Sequence, residues 1–143
     1  MKVLCLGGGP AGLYFAISMK LRDPNHQVTV LERNRANDTF GWGVVLSDDA
    51  LSRMQKNDAL STDAIRSHFA YWDDIAVVHK GVRTVSGGHG FAGIGRKQML
   101  VLLQARARDV YRNAGVPDPA SAVIFFHGLG LSHMDIEQTL ADG

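Results

Sequence analysis

An α/β fold opening on a parallel strand–helix–strand unit is the prediction for this sequence, and three observations carry it. The strand expected over 2–6 carries an apolar run, Val3-Leu4-Cys5-Leu6, that ends at Gly7, as a strand buried on both faces of a parallel sheet reads. The pattern Gly7-x-Gly9-x-x-Gly12 follows at once and leads into a helical stretch. A second apolar run at 28–31 then ends in Glu32, about 20 residues past Gly12. In this order the three make a Rossmann-like βαβ unit of the dinucleotide-binding kind. Its first glycine permits a tight turn, its second lets the backbone approach a pyrophosphate, and its third lets helix and strand pack closely. Free N–H groups at the helix start face the phosphates, and Glu32 grips ribose hydroxyls. The expected cofactor contacts here are Gly7, Gly9, Pro10, Ala11, Gly12, Glu32 and Arg33.

Each element follows in turn. Pro10 suits an early position of a helix over 10–21, because its missing N–H would be unpaired there anyway. Leu13, Ala16, Ile17 and Met19 or Lys20 give that helix its apolar spacing. Asp23-Pro24-Asn25 is a turn, and 34–37 is a polar loop. Short helices are expected at 48–56 and 62–69, the second capped by Thr62 or Ser61. Two β-rich runs, 75–78 and 82–85, flank His79-Lys80-Gly81 and predict a small hairpin. Asp73-Asp74 precedes it as a turn, since adjacent strand residues point to opposite faces and would not converge on one substrate. Residues 86–95 carry Gly87, Gly88, Gly90, Gly93 and Gly95 and read as a loop that either moves or passes close to a ligand. A helix over 96–114 follows, with Met99, Leu102, Leu103 and Ala107 on its apolar face, stopped by Gly115 and Val116-Pro117. Residues 122–126 are a further strand.

Several function classes lose support from composition. The 143-residue chain has a formal net charge of +1, so no strong field draws nucleic acid or an anionic membrane. No apolar run approaches a membrane span, and the N-terminus reads as a strand rather than a signal peptide. The single cysteine, Cys5, forms no internal disulfide, which fits a reducing cytoplasm, and it reads as a small core residue. His26, His68, His79, His127 and His133 show no metal-ligand spacing, so no metal site is expected. FFHGLGLSH at 125–133 is similar to the oxyanion loop of α/β-hydrolases, but no G-x-S-x-G elbow accompanies it.

Glu32 disfavours a 2′-phosphate, because two anions would meet, and Arg33 beside it softens that repulsion. The fingerprint leaves NAD and FAD open. LGGGPAGLYFA (6–16), VLERN (30–34) and GWGVVLSD (41–48) resemble flavoprotein aromatic monooxygenases of the p-hydroxybenzoate hydroxylase type. With DTFGWGVVLSD (38–48), FAYWDDIAV (69–77), SGGHGFAGIGRKQML (86–100) and LLQARA (102–107), the chain is similar to the salicylyl-CoA 5-hydroxylase and 2-aminobenzoyl-CoA monooxygenase/reductase group, from residue 1 to about 110.

That resemblance implies FAD as cofactor, NAD(P)H as co-substrate, dioxygen, and an aromatic CoA thioester as the small-molecule partner. It implies that Arg96 opens a helix and reaches the ribityl–phosphate region, that Gln104 approaches the cofactor two turns on, and that Gly41-Trp42-Gly43 passes near the isoalloxazine, with Gly43 in contact. The bland reading of Gly41-Trp42-Gly43 is a turn with a core Trp. His89 either bonds flavin or substrate or is an ordinary loop histidine. No catalytic side chain is assigned, because the cofactor supplies the oxygen chemistry. Residues 1–110 are the expected FAD-binding region. Residues 111–143 depart from the family pattern and are unassigned, and Ala141-Asp142-Gly143 only echoes a later Asp-Gly motif. The expectation is a truncated domain, inactive alone. The alternatives are a nucleotide-binding remnant without catalysis and an FAD- or NAD-dependent oxidoreductase of another kind.

Overall fold

A computed structural model describes residues 1–35, 38–117 and 123–125. In chain order its elements are β1 (Lys2–Leu6), α1 (Pro10–Arg22), β2 (Gln27–Glu32), β3 (Gly43–Leu46), α2 (Asp48–Asn57), α3 (Ala59–Arg66), β4 (Ala70–Trp72), β5 (Ile75–His79), β6 (Val82–Ser86), β7 (Phe91–Gly95), α4 (Arg96–Asn113) and β8 (Val123–Phe125). Contacts divide the chain into two compact units, Met1–Asp38 with Leu103–Gly143, and Thr39–Leu102. The 125–133 string beyond Phe125 and the tripeptide at 141–143 lie outside the described residues.

In the first unit β1 and β2 pair in parallel from Lys2↔Gln27 to Leu6↔Leu31, with α1 as their crossover. β2 also pairs in parallel with β8, giving the order β1-β2-β8. α1 buries Leu13, Ala16 and Ile17 as its spacing predicts. At the ambiguous fourth position Lys20 is the buried residue, while Met19 packs at the edge of the core. Lys20 buries its stem and still satisfies its ammonium, which donates to Pro24 O at 2.8 Å and lies 5.3 Å from the centre of the Tyr111 ring. Ala16, Val28, Val30 and Tyr111 form the core cluster, with Val3, Cys5, Met19 and Val116 against it. The Tyr111 hydroxyl donates to Val28 O at 2.7 Å. Burial, and secondarily the nearby Cys5, pushes the Tyr111 phenol up to about 12. Burial also pushes the Cys5 thiol up, which agrees with a packing role rather than a reactive one.

In the second unit β7 lies between β3 and β4 in an antiparallel sheet. The glycine-rich stretch expected to be all loop is therefore a central strand over its last five residues. Gly93 serves packing, since a β-carbon there would sit 2.9 Å from the Trp72 ring, whereas one at Gly95 would meet nothing within 4 Å. β5 and β6 form the predicted hairpin, but the turn is two residues, because His79 pairs with Val82. Lys80 and Gly81 both take positive φ (48° and 80°), the twist-matched geometry of tight hairpins. Asp73 and Asp74 fall between β4 and β5, as expected of a turn.

Ser47 caps α2 by accepting from Ala50 N at 3.3 Å, and Asp48 and Asp49 occupy the first turn. α3 begins at Ala59, earlier than expected. Ser61 and Thr62 do not cap it. Their hydroxyls donate to Asp58, to Oδ2 at 2.5 Å and to the carbonyl at 3.0 Å, and both residues are buried. α4 buries Met99, Leu103 and Ala107. It ends where Gly115 takes φ 77°, its N–H reaching Arg112 O and that of Val116 reaching Tyr111 O, a Schellman stop. No helix among the described residues is long and apolar enough to cross a membrane.

Candidate nucleotide site

The glycines between β1 and α1 have separable reasons. Gly7 has φ 110°, open to glycine and costly for other residues, and its N–H donates to Leu31 O at 2.7 Å. Gly12 is required by packing, since a β-carbon there would lie 2.0 Å from Gly7 O. Gly8 is excluded from substitution by Glu32, whose Cβ would be 2.9 Å from an added β-carbon. Gly9, at φ −69° and ψ 178°, has a backbone any residue adopts. Its lack of a side chain is not a conformational need, and it leaves the approach to the helix start open.

That helix start is left without internal compensation. Pro10 is its first residue, no side chain caps it, and no acid lies in its first turn. The contrast with α2, capped and doubly acidic at the same place, is direct. Ala11 is exposed in this first turn, and Gly9, Pro10 and Gly12 are half-buried. Glu32, at the end of β2, reaches the turn: its Oε2 accepts from Gly8 N at 2.8 Å. Its Oε1 accepts from Asn34 N at 2.8 Å and from Asn34 Nδ2 at 2.7 Å. Arg33 is exposed. So Gly7, Gly9, Pro10, Ala11, Gly12 and Glu32 share one locality. Sequence reasoning missed Gly8 and Asn34. The signal for Gly8 was available, because the run Gly7-Gly8-Gly9 has one more glycine than the fingerprint requires.

In the second unit Arg96 and Gly41-Trp42-Gly43 are brought together. Arg96 N donates to Trp42 O at 3.2 Å, and Gly43 pairs with Gly95. A β-carbon at Gly43 would lie 2.9 Å from Ile94 O. Trp42 is fully exposed, which overturns its reading as a core residue. The Arg96 Nε is buried with no hydrogen-bond partner among the described residues, and so is Thr39 Oγ1. Gln104 is half-buried on α4 two turns beyond Arg96. His89 is tied locally, its Nε2 2.7 Å from Ser86 Oγ and its ring stacked on Phe91 at 5.5 Å. Beside it, Asp48, Tyr71, Trp72, Asp73, Gly90 and Phe91 line an open recess of about 370 Å³, unforeseen in the sequence. The Asp73 carboxylate accepts from Gly90 N at 3.1 Å.

With this geometry in place, known proteins bear on it. Salicyloyl-CoA 5-hydroxylase from a Streptomyces species is 48% identical over 108 residues, 76% of this chain and 21% of that protein. In sequence the chain is thus similar to aromatic monooxygenases. The 3-hydroxy-4-methyl-anthranilyl-[aryl-carrier protein] 5-monooxygenase of Streptosporangium sibiricum is 32% identical over 123 residues, 84% of this chain and 35% of that enzyme. The crystal structure of CtdE in complex with FAD and a substrate superposes with a TM-score of 0.62 at 18% identity, over 88% of this chain and 30% of that one. A putative FAD containing monooxygenase from Photorhabdus luminescens shares the same fold, at a TM-score of 0.59 and 18% identity over 88% of this chain and 30% of that one. No family model matches. The chain spans 21% to 38% of the length of the curated relatives it matches.

Proposed function

We propose that the chain is the FAD-binding N-terminal portion of an aromatic acyl-CoA monooxygenase that hydroxylates a salicylyl-CoA-like ring with NAD(P)H and dioxygen. The observation that carries the reading is the uncompensated start of α1, with the Glu32 carboxylate fixed beside its glycine turn at 2.8 Å from Gly8 N. A helix start with free amides suits a pyrophosphate, and a fixed carboxylate suits ribose hydroxyls. Gly9, Pro10, Ala11 and Gly12 present the amide surface, and Gly7 makes the turn.

By the same resemblance, Arg96, Trp42 and Gly43 of the second unit and Gln104 of the first are candidates for holding FAD. The buried Arg96 Nε–H lacks an acceptor among the described residues, and a phosphate or ribityl oxygen supplies one. Gly43 and the exposed Trp42 suit a flat ring, and Gln104 adds a polar contact. When bound, FAD supplies the oxygen chemistry; the protein's part is to bind, orient and exclude water. Residues 1–110 carry the FAD-binding region in this reading, and residues 111–143 are left without a role in it beyond Tyr111 and Val116 in the core.

Titrating FAD by fluorescence quenching against the wild type and Gly9→Val tests it. The variant is expected to lose binding while keeping its helical circular dichroism. Equal affinities would remove the turn from the site.

A further inference from the structure

We propose that Asn34 is a positioning residue that sets selectivity against 2′-phosphorylated nucleotides by locking the Glu32 carboxylate; this rests on the nucleotide-binding reading above. A glutamate side chain free to rotate is a poor discriminator, because it can swing away from a second anion. Here both carboxylate oxygens are held. Oε1 takes two donors from Asn34, the backbone N–H at 2.8 Å and the side-chain Nδ2 at 2.7 Å. Oε2 takes the Gly8 N–H at 2.8 Å. The base of the side chain is confined as well, since the missing β-carbon of Gly8 is what makes room for Glu32 Cβ.

Each carboxylate oxygen has two lone pairs. Oε1 has spent both on Asn34, and Oε2 has spent one on Gly8. Among the described residues one acceptor direction remains, on the oxygen that faces the glycine turn. It matches a single donating ribose hydroxyl. A 2′-phosphate brings negative charge and no matching donor, and it meets a carboxylate that Asn34 prevents from turning away. Any substitution other than proline keeps the backbone bond, so the side-chain Nδ2 is the part mutation can remove.

The test measures, by isothermal titration on the full chain, the affinities of ADP-ribose and 2′-phospho-ADP-ribose, a pair differing only in that phosphate. Asn34→Leu keeps the size and removes the donor, while Asn34→Gln keeps a donor. Asn34→Leu is expected to lower the preference for ADP-ribose by about threefold to tenfold, the scale of releasing one immobilised side chain. Asn34→Gln is expected to recover part of that preference, with thermal melts unchanged in both. If Asn34→Leu fails to fold, Asn34→Ala carries the same comparison. Unchanged preference in the donor-less variant, or equal loss in Asn34→Gln, overturns the proposal. Wild-type protein that binds neither ligand, or binds both with no loss on Gly9→Val, overturns the nucleotide-binding reading with it. Wild-type binding that is abolished by Gly9→Val but indifferent to Asn34→Leu overturns this proposal alone.

Discussion

Replacing Gly12 with alanine sets two effects of opposite sign against each other. Alanine in a helix interior is favoured over glycine by about 0.5–1 kcal/mol, so an unconstrained site would gain stability. At Gly12 the new β-carbon would lie 2.0 Å from Gly7 O and 3.2 Å from Gly7 C, where ordinary contact begins at 3.4 Å. The obstacle is backbone, so no rotamer change relieves it. Helix α1 would have to retreat from the turn by more than about 1 Å, yet Gly7 N is bound to Leu31 O at 2.7 Å and Leu13 N to Gly9 O at 3.0 Å. Overpacking costs about 1–3 kcal/mol and occasionally more. A backbone clash this deep belongs at the upper end, so after the helix gain the net loss is about 2–2.5 kcal/mol. At roughly 2–4 °C per kcal/mol for a chain of this size, Tm falls by about 4–10 °C. Urea unfolding followed by far-ultraviolet circular dichroism gives the sign directly. A Gly12→Ala protein as stable as the wild type, or more so, would refute the close approach of α1 to the turn.

Other perturbations test other residues. Glu32→Ala is expected to weaken FAD binding by about 1–3 kcal/mol, the range for hydrogen bonds to a charged group; unchanged calorimetric affinity would remove Glu32 from the site. Arg96→Ala should lower FAD affinity and make what remains less sensitive to salt, and an unaltered salt slope would make Arg96 a surface residue. Tyr111→Phe should cost about 0.5–1.5 kcal/mol at neutral pH through its lost hydrogen bond to Val28 O. Because the folded phenol titrates near 12 and the free one near 10, its contribution is complete below pH 10 and is lost as pH rises toward 12. The stability gap between wild type and Tyr111→Phe should therefore narrow over that window, and a constant gap would contradict the burial assigned to the ring. The 143-residue chain alone, given FAD, NAD(P)H and an aromatic CoA thioester, is expected to form no hydroxylated thioester by chromatography; turnover above a free-FAD control would disprove the fragment reading.

What the sequence made legible was what repeats at short range. Leu13, Ala16 and Ile17 fall on one face of α1 because helical spacing is local, and Gly115 marks the end of α4 because a left-handed turn has a residue preference. β7 was hidden because its glycines look like a loop. Gly93 answers to Trp72 on a neighbouring strand, a partner no local pattern names. Lys20 was ambiguous for the same reason: its burial depends on Pro24 O and the distant Tyr111 ring. In the site the fingerprint gave the turn and its acid. It did not give the donors that hold Glu32: Gly8 reaches the carboxylate only once β1 and β2 are in register, and the bonds from Asn34, two residues on, depend on how the chain bends after β2.

The position of β2 between β1 and β8 has a consequence for synthesis. Its ladder with β1 closes a loop of about 25 residues, whereas Val30↔Val123 closes one of roughly 90, at an entropic cost about 1 kcal/mol larger. The first ladder can form as soon as Glu32 clears the ribosome. The second edge of β2 must wait for β8, and at about 5–20 residues per second that wait is roughly 5–20 s. For that interval a β-branched strand, Gln27–Glu32, stands with one row of backbone groups unpaired. Such an edge is a template for any other extended chain, so the nascent protein is most vulnerable to misassociation while residues of the second unit are still being made.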